Sequence, residues 1–301
     1  MGPEIVVVGS LNLDIVVAVP THPAPGETVL GGDHRRLCGG KGANQAVAAA
    51  RLGRSVDMVG CVGDDEAGRT LTSALARDGV RVDHVRVQAE APTGLALITV
   101  DDDSGENAIV VSPGANARLT LDDVSRASVP VAGANVLLLQ LEVPIDTVTQ
   151  AADVATGTVV LNPAPARLLP SELLRSADVL VPNRGELAVL AGGDEVRELD
   201  EVISAARALD GPAAVVVTLG AEGALYVTPD EARHVPAFPV EPVDTTGAGD
   251  AFCGALADAL VRGEEMAAAV RWATAAGACA VTKPGAQDSL PTRGEVEHLL
   301  A

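Results

Sequence analysis

The segment at residues 244–256, DTTGAGDAFCGAL, combines a glycine-rich turn with a carboxylate where an apolar, alanine-rich helical pattern begins. Gly247, Ala248 and Gly249 lead directly into Asp250. Free backbone N–H groups at a helix start can bind an anion, and a carboxylate beside them can accept the proton of an attacking hydroxyl. A capped turn without any chemistry uses the same residue types. The segment alone therefore supports both interpretations.

A second candidate pair follows the first apolar run of the chain, in the stretch SLNLD. Asn12 and Asp14 are two residues apart, so in an extended chain their side chains point to the same side. An amide beside a carboxylate suits sugar hydroxyls, because a carboxylate can accept hydrogen bonds from two neighbouring hydroxyl groups. A loop stabilised by Asx turns is the alternative interpretation.

The stretch CGGKGANQAVAAA at residues 38–50 places two glycines before a predicted helix. Gly39 and Gly40 allow close backbone approach, and Lys41 and Asn44 lie in the first helical turn, where free N–H groups also point outward. The GxxxxGK[ST] and GxGxxG spacings are both absent. The sequence therefore does not predict a P-loop or a dinucleotide site. An ordinary glycine-rich helix start remains open.

Other polar residues also come directly after apolar runs, where ligands bind in open α/β sheets. Glu142 follows VLLL, and Asn183 and Glu186 follow DVLV with the spacing of a capping box. A solvated loop glutamate and a purely structural cap are the alternatives.

Two further turns are candidates for binding. The stretch GAEG at residues 220–223 follows AVVVTL, where a plain hairpin turn is the alternative. The turn TKPGAQDS at residues 282–289, together with Asp244, offers oxygen ligands for a hard cation.

The composition excludes several classes of partner. The 301 residues are 48% hydrophobic and carry a formal net charge of -20, so a large core is available and binding to nucleic acid is not expected. Cysteines 38, 61, 253 and 279 have no Cys-x-x-Cys spacing, which predicts reduced thiols in a cytoplasmic protein. No apolar run reaches the roughly 18 residues of a membrane span, and the first residues do not resemble a signal peptide.

The elements that must position these residues follow from the apolar pattern. Short β-branched or aliphatic runs alternate with helical patterns at 42–53 and 65–79, which predicts a doubly wound α/β fold with a mostly parallel sheet and helices on both faces. The predicted strands are residues 4–9, 55–60, 136–139, 158–161, 178–181 and 214–219.

Two segments, at about residues 15–37 and 93–112, break this alternation. They contain the strand-like runs IVVAV, ETVL, GLALITV and NAIVV with no helix between neighbours. We expect a small antiparallel sheet there, as a lid over a site or as an interface, attached to one α/β domain over residues 1–301. A plain β excursion is the alternative.

The motifs together resemble the ribokinase branch of the PfkB carbohydrate kinases over nearly the whole chain. The matching stretches are GSLNLD, PGETV, GGKGANQAVAAARLG, GDD, GENAIVVSPGANA, QLEVP, LNPAPAR, PNRGE, VTLGAEG, VDTTGAGDAF and KPGAQ. The glycine–lysine stretch, LNPAPA and DTTGAGD are the most specific.

The resemblance implies a role for each matching position. Asp250 would be the catalytic base, with Gly247, Ala248 and Gly249 as an anion hole. The implied sugar-binding positions are Asn12, Asp14, Gly40, Lys41, Gly42, Ala43, Asn44, Glu142 and Asp250. The implied nucleotide-side positions are Asn183, Glu186 (near Mg²⁺), Thr218, Leu219, Gly220, Ala221, Glu222, Gly223, Gly249 and Thr274. The implied monovalent-cation positions are Asp244, Thr246, Ala280, Lys283, Gly285 and Ser289, several through backbone carbonyls.

The resemblance also implies the reaction: ATP-dependent phosphorylation of the 5-hydroxyl of D-ribose, with Mg²⁺ and K⁺, in a homodimer joined through the lids. The residues themselves favour a neutral polyol. A sugar phosphate would require an Arg/Lys cluster, and a nucleoside would favour stacking on aromatic rings, which make up 1% of this chain. Deoxyribose and fructose remain alternatives. A catalytically silent sugar-binding regulatory relative and a dinucleotide-dependent oxidoreductase have less support, because the Asp250 turn is intact and GxGxxG is absent.

Overall fold

The structure is a computed structural model that describes residues 2–193 and 196–301, and these residues form thirteen strands and eleven α-helices. The strands are β1 (Ile5–Val8), β2 (Asn12–Val19), β3 (Arg35–Gly39), β4 (Val56–Gly63), β5 (Arg81–Gln88), β6 (Gly94–Asp101), β7 (Asn107–Ser112), β8 (Val136–Leu139), β9 (Thr158–Leu161), β10 (Val179–Leu180), β11 (Ala214–Thr218), β12 (Ala224–Val227) and β13 (Ala232–Val235). The helices are α1 (Lys41–Arg51), α2 (Glu66–Arg77), α3 (Leu121–Arg126), α4 (Ser128–Gly133), α5 (Ile145–Val154), α6 (Ser171–Ser176), α7 (Arg184–Leu190), α8 (Leu199–Ala208), α9 (Ala248–Val261), α10 (Met266–Ala280) and α11 (Arg293–Leu300).

Nine strands form the main sheet in the order β13–β12–β11–β10–β9–β8–β1–β4–β5. Neighbouring strands pair in parallel except at one edge, where β11–β12 and β12–β13 pair antiparallel. The predicted doubly wound α/β fold is therefore confirmed. The two antiparallel edge strands were not predicted, and the stretch GAEG is the connection between β11 and β12.

Both faces of the main sheet are covered by helices, which explains why its strands are continuous apolar runs. In β1, Ile5 and Val7 belong to one buried cluster, which also contains side chains of α1, α9 and α10. Val6 and Val8 belong to the other cluster, which contains side chains of α3, α5 and α8. Alternate residues of one strand thus stabilise two separate apolar layers.

The small second sheet is present, but its pairing differs from the prediction. Its strands lie in the order β3–β2–β6–β7, and β2 pairs with β6 in parallel, so the sheet is mixed rather than antiparallel. The predicted strand ETVL at residues 27–30 is wrong, because that segment is irregular. The third strand is instead β3, whose sequence RRLCG has no apolar alternation.

The carboxyl ends of four central strands lead into polar residues, some of which are candidates predicted from the sequence. β1 is followed by Ser10 and β2, β8 by Gln140 and Glu142, β9 by Asn162, and β10 by Asn183. Parallel strands end at the same edge of a sheet, so this connectivity gathers the polar side chains there. None of the described helices is long and apolar enough to cross a membrane.

Candidate active site

The glycine turn before Asp250 forms the start of α9. Gly247 has φ 78°, and a Cβ there would lie 3.2 Å from the backbone oxygen of Ala286, so this position requires glycine. Within the described chain, the amides of Gly249 and Asp250 have no hydrogen-bond acceptor. A Cβ at Gly249 would meet nothing within 4 Å. The helix start therefore presents free N–H groups to open space, as an anion site requires.

Asp250 is buried behind this turn, with 8% of its surface exposed. Its Oδ2 accepts a hydrogen bond from Asn44 Nδ2 at 2.8 Å, and its Oδ1 accepts one from Gln45 Nε2 at 3.0 Å. Burial raises the pKa of Asp250, while the Lys41 charge and the two amide donors act in the opposite direction. The two amide donors therefore fix the orientation of the Asp250 carboxylate as a hydrogen-bond acceptor.

Asn12 and Asp14 lie at the start of β2, where they share one side of the strand. Asp14 packs against Gly39, since a Cβ at Gly39 would lie 2.1 Å from Asp14 Oδ2. Burial, followed by the charges of Glu142 and Asp250, raises the pKa of Asp14 to about 7. The predicted sugar carboxylate thus lies in the electrostatic field of the base.

Asn116 orients the side chain of Asn12. Asn116 Oδ1 accepts from the Leu11 amide at 2.9 Å, and its Nδ2 donates to the Leu11 carbonyl at 3.0 Å and to Asn12 Oδ1 at 2.7 Å. Because Asn12 Oδ1 is an acceptor there, its Nδ2 is the group left for a ligand. Sequence reasoning missed Asn116, although it lies in the matched stretch GANA.

The start of α1 is tied to the end of β8 through Glu142. Its Oε2 accepts hydrogen bonds from Ser10 Oγ and from the Lys41 amide, the latter at 3.2 Å. Burial lowers the pKa of Lys41, but the nearby Asp250 and Glu142 charges more than reverse this, so the net pKa is raised and the ammonium stays protonated. Glu142 therefore positions α1 as well as contributing charge.

Three more predicted sugar positions, Gly40, Gly42 and Ala43, contribute to the site through their backbone. Gly40 has φ 91°, and a Cβ there would lie 2.7 Å from the Asn12 amide nitrogen. A Cβ at Gly42 would lie 2.6 Å from the Ser10 nitrogen. The Ala43 amide donates to the Ser10 carbonyl at 2.9 Å. These residues let α1 approach the end of β1 closely, while the buried Asn44 Oδ1 has no partner among the described residues.

Asn183 and Glu186 form the capping box of α7, as their spacing predicted. Asn183 Oδ1 accepts from the Glu186 amide, and Glu186 Oε2 accepts from the Asn183 amide, both at 2.8 Å. Burial raises the pKa of Glu186, and its hydrogen bond to the Asn183 amide and the charge of Lys41 lower it. One Glu186 oxygen lies in the cap, which leaves the other for a ligand.

An apolar groove of about 470 Å³ adjoins the start of α9. Of the predicted nucleotide positions, it is lined by Thr218, Gly220, Ala221, Gly223, Gly249 and Thr274. Four predicted positions do not line it. Leu219 is buried in the core, Glu222 forms an ion pair with Arg184 at 2.8 Å, and Asn183 and Glu186 lie in the cap of α7. Phe238, which was not predicted, adds an aromatic ring to the wall, with Arg271 5.0 Å from the ring centre.

Of the predicted monovalent-cation positions, Ala280 is the last residue of α10, and the others lie on two loops that Asp244 joins. Its Oδ1 accepts from the Thr246 amide at 2.9 Å, and its Oδ2 accepts from the Gly285 amide at 2.8 Å. Burial raises the pKa of Asp244, and hydrogen bonds from Thr246 and Gly285 more than offset this, so the net pKa is lowered.

The other cation positions are held by local contacts. The Ala280 carbonyl accepts from the Lys283 amide at 3.2 Å, the Lys283 ammonium pairs with Glu295, and buried Ser289 Oγ donates to the Ala286 carbonyl at 2.9 Å. In residues 2–193 and 196–301 no three His, Cys, Asp or Glu side chains cluster as in a metal centre. A cation at these loops would therefore depend on backbone carbonyls.

Comparison with known proteins gives a consistent assignment. The pattern of the pfkB family carbohydrate kinases matches residues 3–293. The chain is 41% identical over 304 residues to a ribokinase from Haemophilus influenzae, covering 100% of this chain and 99% of the relative. It is 39% identical over 304 residues to a deoxyribokinase from Salmonella typhi, covering 99% of each. A ribokinase from Arabidopsis thaliana, solved with ribose and ATP, has a TM-score of 0.91 and 36% identity, covering 100% of this chain and 99% of that chain. The chain belongs to the PfkB family of carbohydrate kinases.

Proposed function

We propose that this chain transfers the γ-phosphoryl group of ATP to the 5-hydroxyl of D-ribose, giving D-ribose 5-phosphate and ADP. The observation that carries the proposal is the buried Asp250 carboxylate, which lies beside unpaired helix-start amides, between polar residues of β2 and α1 and an apolar groove. Full-length relatives named ribokinase, one of them solved with ribose and ATP, support the substrate pair.

Each part of the site has a task in this reaction. Asp250 accepts the proton of the ribose 5-hydroxyl as the new O–P bond forms and the bond between the β- and γ-phosphates breaks. The amides of Gly249 and Asp250 stabilise charge on the transferring group. Lys41 adds a positive charge beside the base.

The sugar is held by groups with complementary roles. Asn12 offers Nδ2 as a donor, and Asp14 accepts from hydroxyl groups. The buried Asn44 Oδ1 is a further acceptor that has no partner in the described chain. A free acceptor in a buried site is costly, and a bound hydroxyl would satisfy it.

Glu186 is the residue that would hold Mg²⁺, and Asn183 is a neighbouring position on the phosphate side. A single free carboxylate oxygen fits an ion that keeps several waters and binds phosphate oxygens. When bound, Mg²⁺ supplies charge neutralisation for the phosphates. K⁺ would lie between the loops joined by Asp244 and Gly285, and these loops meet the start of α9.

The proposal also includes a homodimer joined through the second sheet, in which the lid of each copy closes the partner's site. It further includes a cytoplasmic location. The second sheet exposes apolar side chains at Leu97, Ile109, Val110 and Val111, which is typical of a surface that is covered in an oligomer. All four cysteines are free, which fits a reducing compartment.

The test is ADP release from ATP and Mg²⁺ with ribose, deoxyribose, fructose or adenosine, each with and without K⁺. We expect ribose to be the best acceptor and K⁺ to increase turnover. Deoxyribose is the second candidate, because the 39% identical relative is a deoxyribokinase. Adenosine as the best acceptor would refute the proposal.

A variant, Asp250→Asn, tests the role of the base in the same assay. Removal of a general base lowers turnover by about 10²- to 10⁴-fold, while sugar binding measured by calorimetry should persist. Asp83→Asn, an exposed carboxylate on β5, is the matched control. Unchanged turnover in Asp250→Asn would remove this residue from the mechanism.

A further inference from the structure

Gln45, on α1, is completely buried and contacts the candidate base directly. Its Nε2 donates to Asp250 Oδ1 at 3.0 Å and to Asn162 Oδ1 at 3.2 Å. Its Oε1 accepts from Gln140 Nε2 at 2.6 Å. The amide thus connects the base to residues that follow β8 and β9 of the main sheet.

The hydrogen-bond pattern fixes the orientation of each amide in this chain. Asn162 Nδ2 donates to the Val181 carbonyl at 2.9 Å, so Asn162 Oδ1 is the atom that faces Gln45. Gln140 Nε2 donates to Gln45 Oε1. Gln45 must therefore present both N–H groups to acceptors, and an ionised Asp250 is one of them.

We propose that Gln45 is a positioning residue for the phosphoryl transfer described above, on which this inference rests: it fixes the rotation of the Asp250 carboxylate and keeps it ionised to accept the substrate proton. Gln140 and Asn162 act one step further out, by holding the Gln45 amide in place.

The charges around Asp250 give this donor its importance. Desolvation raises the pKa of Asp250, and the Glu142 charge adds to the increase, while Lys41, Asn44 and Gln45 lower it. The titratable groups that face Asp250 from the surrounding elements are Lys41 on α1, Asp14 on β2, Glu142 after β8, Glu186 on α7 and Cys253 on α9. Lys41 is the one cation in this set, so loss of the Gln45 donor raises the pKa of the base further.

A purely structural role for Gln45 has to be separated from this one. The Gln45 backbone oxygen packs against α9, because a Cβ at Gly254 would lie 2.9 Å from it. A substitution at Gln45 could therefore disturb the α1–α9 contact without any effect on the base. The readout must distinguish the state of Asp250 from the stability of the fold.

The experiment compares Gln45→Met, which keeps the side-chain length, with the wild type for kcat against pH, sugar affinity by calorimetry and melting temperature. We expect kcat at neutral pH to fall by about 10- to 100-fold, as for loss of a hydrogen bond to a charged group. Sugar affinity should stay within about threefold of wild type, because Gln45 has no free polar group for the sugar. The acid limb of kcat should move up by about 1 to 2 pH units.

Gln150→Met, a remote glutamine on α5 that bonds to Ser125, is the matched control and should leave all three readouts unchanged. Should Gln45→Met fail to fold, Gln140→Met removes the neutral donor one step out. It should lower kcat by about 2- to 10-fold with the same separation from sugar affinity.

The results separate this inference from the proposed function. A wild-type chain that fails to phosphorylate any of the four acceptors refutes the proposed function itself. An active wild type with unchanged kcat in the folded variant refutes the role of Gln45. A loss of kcat that is accompanied by an equal loss of sugar affinity, or that leaves the acid limb in place, assigns Gln45 a structural role and also overturns the inference.

Discussion

Replacement of Asp14 by Asn should stabilise the free protein at alkaline pH while it abolishes sugar binding. Asp14 is buried, with 8% exposure, and its carboxylate accepts no hydrogen bond in the described chain. Burial and the neighbouring Glu142 and Asp250 charges raise its pKa from its ordinary value of 3.8 to about 7, while Lys41 acts against them. The ionised side chain is therefore a net cost to the folded state.

The sign and size of this cost follow from linkage. The folded protein holds the Asp14 proton up to about pH 7, whereas the unfolded chain loses it near pH 3.8, so unfolding free energy falls between these two values as the pH rises. The full cost is reached above pH 7 and amounts to about 4 kcal/mol. For a chain of this length, that corresponds to about 6 °C in melting temperature.

The assay is thermal unfolding of both proteins from pH 4.5 to 8.5, with ribose calorimetry at pH 8. The melting temperature of Asp14→Asn should lie close to that of wild type at the acid end, where little of the cost has developed, and exceed it increasingly towards pH 8. Ribose binding should be lost, because the NH₂ group of an amide is a donor, so Asn has one acceptor oxygen where the carboxylate has two. The exposed Asp83→Asn serves as control. A difference that is independent of pH, or a less stable variant at pH 8, would show that the electrostatic reasoning is wrong.

Three further outcomes are expected. Gly249→Ala should keep the wild-type melting temperature, because its Cβ meets nothing within 4 Å. It should nevertheless lower kcat by about 10-fold or more, because the added methyl group enters the space of the transferred phosphate. Gly133→Ala, also in open space at the end of α4, is the control. Asn116→Leu should weaken sugar affinity by about 10-fold, since Asn12 loses its orienting bond, with ATP affinity unchanged in the same calorimetric series. Val110→Glu, on the exposed face of β7, should reduce the sedimenting mass to that of one chain; a mass equal to that of wild type would contradict the proposed dimer surface.

The main sheet was predictable because its strands are buried on both faces. The runs VLLL and TVVL form β8 and β9 with the predicted bounds, because a short, continuous aliphatic run is typical of a strand that is buried on both faces of a sheet. The second sheet has one exposed face, and its β3 begins with two exposed arginines, so no apolar pattern marked that strand. The parallel pairing of β2 with β6 follows from the path of the chain out of β1 and β5, which composition does not encode.

The reactive groups of the site were easier to predict than the groups that hold them. Asp250 directly follows Gly249, and Asn44 comes two residues after Gly42, so both lie at glycine-marked helix starts that the local sequence reveals. Gln45, Gln140 and Asn116 are buried amides whose partners lie 95 to 205 residues away in the chain. One signal was available: Gln45 interrupts the alanine-rich core pattern of α1, and a buried polar group requires partners.

The site accumulates negative charge that the fold does not need. The charges of Glu142 and Asp250 raise the pKa of Asp14, and the charge of Glu142 also raises the pKa of Asp250. Lys41 is the nearby cation, in a protein whose net charge is already -20. A core built for stability would not gather these groups, since removal of one carboxylate relieves repulsion. A polyhydroxylated ligand changes that balance, because its hydroxyls donate to the Asp14 carboxylate, which lacks a donor, and exclude water from the base. The same repulsion that destabilises the free protein therefore favours binding of a neutral sugar over a phosphorylated one at the sugar positions, where the added charge would lie near Asp14 and Glu142.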